Sequence, residues 1–327
     1  MEQIYLVTGA AGHLGSAVTA ALLARGARVR ALVLPGEPHP PAGAECCTGD
    51  VCDPESLRAF FDVPGEKRVI HCAGIVTIAG RIDPRVRAVN VGGTRNVIAL
   101  CRETGARLLH VSSVHAIPDL PRGAVIREVA RFDPAAVVGY YAKTKAEATQ
   151  LVLDAAADGL DARVVHPSGI LGPGDWGRGH LTALVADFCA RRLPCAVEGG
   201  YDFVDVRDVA AGAVAAADRG RAGECYILAN RWYSIRAVLA KLEELTGIRA
   251  ARFCAPGFLV RAAAPLSERL CAARGRPPLF TGYSVYTLGT NAHFSHEKAD
   301  HELGYTVRPL RETLADTVAW LREAGRI

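Results

Sequence analysis

The stretch Thr8-Gly9-Ala10-Ala11-Gly12-His13-Leu14-Gly15 follows directly on an apolar run, Gln3 to Thr8, and leads into a helical pattern, Leu14 to Arg25. A strand that feeds a helix through three evenly spaced glycines is compatible with few folds. Glycine permits the tight reversal and close backbone approach, and the helix start offers unpaired N–H groups with a positive dipole, which together suit a pyrophosphate. The position after the first strand of a βαβ unit is what makes the spacing informative. The alternation continues: Arg28 to Val33, Val69 to Cys72, Leu108 to Ser112 and Ala162 to His166 read as strands, with helices at Pro54 to Phe61, Val86 to Thr104 and Ala142 to Asp158. Runs such as Ile4-Tyr5-Leu6-Val7 and Ala31-Leu32-Val33-Leu34 fit strands buried on both faces. The pattern predicts an α/β fold with a doubly wound parallel sheet. After residue 166, Pro and Gly punctuate residues 167–179, and Pro256, Pro265, Pro277 and Pro278 mark irregular connections. A smaller C-terminal substrate lobe is expected there. Residues 1–166, with a return segment at about 203–230, would form the cofactor domain, and 167–202 with 231–327 the lobe. Phe203 to Val209 reads as a strand turning into a helix, where the chain is expected to rejoin the sheet.

The choice of dinucleotide turns on the end of the second strand, where Asp or Glu holds a ribose hydroxyl and a nearby Arg a 2′-phosphate. Here the strand ends Leu32-Val33-Leu34-Pro35 with neither, and Arg28 and Arg30 precede its end. Both NAD and NADP stay open, with the missing phosphate-binding base tilting the reading to NAD. Gly49-Asp50-Val51, after a short third strand, suits a loop beside the adenine, with Asp50 accepting from its amine.

The chain has 327 residues, 50% hydrophobic and 22% charged, enough to bury a large core. Its net charge of +4 is spread out, with no basic block of the kind that tracks nucleic acid. The first eight residues enter a strand pattern without a signal-peptide n-region, and no window reaches about 18 uncharged apolar residues. The expectation is a soluble, cytoplasmic protein with no integral membrane segment, no nucleic-acid partner and a small-molecule substrate. Ten cysteines are scattered without Cys-x-x-Cys or metal-ligand spacing, so reduced, mostly buried thiols and no metal site are expected.

Tyr141 and Lys145 stand four residues apart at the start of a helical stretch, and Ser113 lies 28 residues before Tyr141 at the end of an apolar run. Side chains at i and i+4 share a helix face. A tyrosine titrates near pH 10, so a phenolate at neutrality needs a shift of roughly three units, about 4 kcal/mol. One ammonium at about 4 Å supplies roughly that at an effective dielectric near 20. The pair can therefore transfer a proton, with Ser113 as a second donor to a substrate oxygen. The neighbouring Tyr140 has Thr144 at i+4, so register favours Tyr141.

With these parts in place the chain resembles the extended short-chain dehydrogenase/reductases, from end to end. The resemblance rests on Gly9, Gly12 and Gly15, on His71-Cys72-Ala73-Gly74 and on Asn90-Val91-Gly92-Gly93-Thr94-Arg95-Asn96-Val97. It rests too on Val111-Ser112-Ser113, on Tyr141 with Lys145, on Pro167-Ser168-Gly169-Ile170-Leu171-Gly172-Pro173 and on Val204-Asp205-Val206-Arg207-Asp208-Val209. The ending, Phe294 to Ala299 and Glu302-Leu303-Gly304-Tyr305, is similar to the branch holding 3β-hydroxysteroid dehydrogenases and dihydroflavonol reductases, and sugar-nucleotide epimerases carry a related one. The resemblance implies a Rossmann-type sheet, a homodimer, and Ser113, Tyr141 and Lys145 as the catalytic set. Cofactor contacts are expected from Gly9, Ala11, Gly12, His13, Leu14, Gly15, Asp50, Val51, Cys72, Ala73, Gly74, Tyr141, Lys145, Pro167, Ser168 and Gly169. Two departures stand out: Val33 and Leu34 carry no charge at the cofactor-discriminating positions, and Ile117-Pro118 replaces the usual Tyr-Gly after the serine motif.

The expected reaction is hydride transfer between nicotinamide and a secondary alcohol or ketone of an apolar cyclic molecule, steroid- or flavonoid-like. His115, Trp176, His180, Tyr201 and Phe203 are candidates for the substrate wall. One alternative is a nucleotide-sugar epimerase or dehydratase, for which Arg178, Arg191 and Arg192 could bind the diphosphate. Another is a cofactor-sensing protein without turnover, against which the intact Ser113, Tyr141 and Lys145 argue. The apolar segment Phe258 to Arg274 reads as an amphipathic helix of the lobe, with a membrane-surface contact as its alternative.

Overall fold

A computed structural model describes residues 2–77, 82–177, 179–193, 195–260, 262 and 281–327. The first half builds strands β1 (Gln3–Thr8), β2 (Arg28–Val33), β3 (Glu45–Thr48), β4 (Glu66–His71), β5 (Arg107–Val111) and β6 (Ala162–Pro167). Helices α1 (His13–Ala24), α2 (Pro54–Phe61), α3 (Pro84–Arg87), α4 (Thr94–Thr104) and α5 (Tyr140–Ala157) lie between them. Then follow β7 (Gly169–Leu171), α6 (His180–Cys189), β8 (Ala196–Val197), β9 (Gly200–Asp205), α7 (Val206–Arg219), β10 (Cys225–Leu228), β11 (Arg231–Ser234), α8 (Ile235–Thr246) and β12 (Cys254–Ala255). Helices α9 (Gly282–Gly289), α10 (Glu297–Leu303) and α11 (Leu310–Glu323) end the chain.

Seven strands form one sheet in the order β10-β6-β5-β4-β1-β2-β3, and its pairings are parallel. Alternate residues of the same strands enter two different cores. Ile4, Leu6, Val69, Leu108 and Val164 pack on one face, and Tyr5, Val7, Ile70, Leu109 and Val165 on the other. Such double burial is why these segments read as continuous apolar runs. The strand order reverses beside β1, and the carboxyl ends of β1 and β4 there open onto the site described below. A third core joins Leu171, Val185, Phe188, Phe203, Leu239, Leu242, Leu314 and Val318 from the second half.

Three details differ from the sequence reading. The single helix expected over residues 86–104 is interrupted by a π-helical turn, Ala88–Gly93. There Asn90 bonds the Ile75 backbone through both its amide atoms, at 2.8 and 3.1 Å, and a Cβ on Gly93 would lie 2.6 Å from a Val51 methyl. The strand through Phe203 does not rejoin the main sheet: β9 pairs with β7 and β11 in a separate three-stranded sheet. The return to the main sheet comes through α7 to β10, which runs parallel to β6. Nor are the thiols mostly buried: of the nine described cysteines, all free, Cys101 and Cys225 are buried while Cys46 and Cys52 are exposed. Among the described residues no helix is long and apolar enough to cross a membrane. Most of Phe258 to Arg274, and Arg178, lie outside the described residues; Phe258 and Leu259 within them are exposed.

Candidate active site

The glycine turn is fitted to its neighbours without slack. Gly9 has φ +64°, and a Cβ there would stand 2.7 Å from the Ala73 backbone. A Cβ on Gly15 would overlap the Gly9 carbonyl. Helix α1 follows its N-cap Gly12 with no side-chain cap and no acidic residue in its first turn, so its leading N–H groups and dipole are left for an anion. Gly9, Gly12, His13, Leu14 and Gly15 line a cleft of about 630 Å³. That volume is in the usual range for small-molecule sites. Ala11, Asp50, Val51 and Ala73 stand outside its walls. The Asp50 carboxylate accepts from the Cys52 N–H at 2.8 Å within its own turn, and Val51 packs under Gly93. Arg30 is held by Glu45 at 3.2 Å and by the Asp62 carbonyl at 2.9 Å, and Arg28 lies 3.9 Å from Glu45, so both are engaged at the sheet edge.

The cleft continues from the turn to Ser113, Tyr141 and Lys145, all three buried. Tyr141 sits in the first turn of α5, and its backbone is tied to the π-turn. Asn90 donates to Thr144 Oγ1 at 3.0 Å, and Thr144 donates to the Tyr141 carbonyl at 2.8 Å. Ser113 follows β5, where His166 bonds its carbonyl at 3.0 Å and stacks on Phe132. Burial pushes the Tyr141 phenol up to about 12, opposed by a hydrogen bond with Ser113. Burial also pulls the Lys145 ammonium down to about 8. The lowering of the phenol by Lys145 that the i, i+4 spacing suggests is not seen in this arrangement. The ammonium instead donates to the Val111 carbonyl at 2.9 Å, and a Cβ on Gly74 would lie 3.2 Å from it. His71, neutral with its pKa pulled to about 3 by burial and then by Lys145, bonds Thr8 and Thr94 and ties β1, β4 and α4 together.

Beyond Tyr141 the cleft enters the second half of the chain. Pro167, Ser168, Gly169, His180, Tyr201 and Phe203 line it, together with Leu181, Ile235 and Leu288. Ser168 donates to the buried carboxyl of Asp202 at 2.5 Å. His115 faces Tyr141 at 6.1 Å between ring centroids and stacks on Tyr201. Trp176 is not brought to the cleft: it stacks on His39 at 4.3 Å, meets Trp320 edge-on and is 42% exposed. Tyr283, from α9, does line it and has no counterpart in the sequence reading. Nothing local marks it, because its contacts are with residues up to 168 positions away. Asn90 stood within a recognised motif, but its anchoring role became visible only with the π-turn. No cluster of potential metal ligands occurs among the described residues.

Residues 5–229 match the NAD dependent epimerase/dehydratase family. The chain belongs to that family. It is accordingly an enzyme of the extended short-chain dehydrogenase/reductase superfamily. Among curated relatives of this family member, sterol demethylase protein B of Methylococcus capsulatus is 35% identical, with 98% of this chain and 99% of that protein covered. A 4-hydroxy-2-methyl-3-oxo-4-farnesyl-3,4-dihydroquinoline-1-oxide ketoreductase of Stigmatella aurantiaca is 33% identical over 98% and 96%. The crystal structure of gox2253 superposes with a TM-score of 0.83 at 32% identity, covering 99% of each chain.

Proposed function

We propose that this enzyme reduces a ketone on an apolar cyclic small molecule to a secondary alcohol with NADH or NADPH. The observation that carries the reading is the continuity of one cleft from the uncapped start of α1, past Ser113 and Tyr141, to a wall of Leu181, Phe203, Ile235 and Leu288. When bound, the reduced nicotinamide supplies the hydride. Gly9, Gly12, His13, Leu14 and Gly15 would hold the pyrophosphate, with Cys72, Gly74, Pro167, Ser168 and Gly169 further along the cofactor's path. Ser113 holds the substrate oxygen and Tyr141 gives it a proton, while Lys145 contributes positive charge and a donor to the cofactor ribose. Burial raises the phenol, so Tyr141 rests protonated. As an acid towards a developing alkoxide it is already in the required state. The names of the two relatives, a sterol demethylase protein and a ketoreductase of a farnesylated quinoline, support an apolar substrate. So does the lining, in which Lys145 is the one Lys or Arg among the described residues. Arg192 is paired with Asp187, and Arg191 opens on a separate groove, which speaks against a nucleotide diphosphate. With Arg28 and Arg30 engaged elsewhere, NADH is the expected donor. On this reading residues 1–166, with the return through α7 and β10, carry most of the cofactor contacts and most of the remainder the substrate, in a cytoplasmic homodimer. The test is to titrate purified protein with NADH and NADPH, then follow absorbance loss with steroid, flavonoid and simple cyclic ketones. Reaction on nucleotide sugars alone, without net cofactor consumption, overturns it.

A further inference from the structure

His115 holds two phenols from distant parts of the chain. Its Nε2 lies 3.0 Å from the Tyr201 hydroxyl and its Nδ1 lies 3.3 Å from the Tyr283 hydroxyl. Burial pulls the imidazole down to about 4, so it is neutral near pH 7. A neutral imidazole has one N–H and one lone-pair nitrogen. One phenol therefore donates to the ring, and the other accepts from it and keeps its own O–H uncommitted. Among the described residues neither hydroxyl has another hydrogen-bond partner. All three rings line the cleft.

The cluster is fixed in place and uncharged. The Tyr283 ring lies against Gly139, whose φ of +97° and missing Cβ make room for it directly before the first turn of α5. Burial raises both phenols, so they remain protonated donors. Asp119, which accepts from Tyr286 at 2.6 Å, and Asp202 both act on these phenols and disfavour an anion there. A half-buried, uncharged O–H donor one ring away from Tyr141 is matched by an uncharged oxygen acceptor.

We propose that His115, Tyr201 and Tyr283 bind a second, uncharged oxygen of the substrate, so that the enzyme prefers apolar ketones carrying a hydroxyl or carbonyl near the reacting carbonyl. The inference rests on the ketone reductase reading and deepens it.

The test uses α-tetralone and its α- and γ-hydroxy derivatives with wild type, Tyr201→Phe, Tyr283→Phe and the double variant. Two ratios are read, hydroxylated over plain ketone: kcat/KM with NADH, and calorimetric affinity for the enzyme without cofactor, where no hydride can move in either direction. Wild type should favour a hydroxylated ketone by roughly tenfold in both ratios. Each single variant should lower the preference, and the double variant should bring it close to one. A wild type that does not discriminate, or a double variant that keeps the preference, overturns the proposal. If no ketone is turned over but the affinity ratio behaves as stated, the second-oxygen site stands and the reductase reading falls.

Discussion

Asp202 offers a stability experiment whose size and sign follow from its surroundings. The residue is 1% exposed; its Oδ1 accepts from Ser168 at 2.5 Å and from the Asn230 N–H at 3.0 Å, and among the described residues its Oδ2 has no hydrogen-bond partner. Burial raises its carboxyl from 3.8 to about 6, against the opposing pull of those two donors. A carboxyl with a raised folded-state pKa contributes stability that is full below its unfolded pKa and is lost as pH rises through the folded one. A shift of about two units corresponds to about 3 kcal/mol, lost between roughly pH 4 and pH 7. Asp202→Asn keeps the acceptor for Ser168 and Asn230 and removes the charge. Whatever constant offset the amide brings, its stability relative to wild type should climb by about 3 kcal/mol across that window. For a chain of this length that is about 4 °C in Tm. Thermal melts of both proteins in matched buffers at several pH values measure it. A stability difference that stays constant with pH, or that moves against the variant as pH rises, would refute the view that Asp202 is ionised at a cost.

Other outcomes are equally specific. Lys145, pulled to about 8, loses its charge as pH rises. Ketone reduction should therefore decline above about pH 8, and a rate level to about pH 10 contradicts its role. Gly15→Ala puts a methyl onto the Gly9 carbonyl. NADH affinity by fluorescence titration should weaken at least about tenfold, whereas an unchanged Kd denies that the turn holds the cofactor. Trp176→Ala removes a ring that stacks on His39 outside the cleft. It should cost about 1 kcal/mol in stability and leave the ketone KM within about twofold; a large KM effect would put Trp176 back on the substrate wall.

The sheet was legible because its strands are buried on both faces, which forces continuous apolar runs such as Ile4 to Val7. Pro54–Phe61 was read to the residue, and in the structure the Asp53 side chain caps it by accepting from the Glu55 N–H, with Pro54 in its first turn. The bounds of β4 were not. Its pairing with β1 carries the strand back to Glu66, into charged residues that no hydropathy pattern marks. The π-turn was hidden because it depends on Asn90 reaching Ile75 and Thr144, contacts made only in three dimensions. Tyr141 could be chosen over Tyr140 from register alone, and it is Tyr141 that lines the cleft. The substrate wall was the least legible part. Trp176 sits beside glycines in sequence yet turns to His39, while Tyr283 arrives from a helix far along the chain.

The measurement that bears most directly on the account is single-turnover ketone reduction by Tyr141→Phe, with NADH affinity determined in parallel. The ring and its packing persist in that variant, and only the proton donor beside Ser113 is removed. Loss of a positioned general acid costs about 10²- to 10⁴-fold in rate. A fall of that order is expected, with NADH binding changed by less than about threefold. Near-normal turnover in Tyr141→Phe would contradict it.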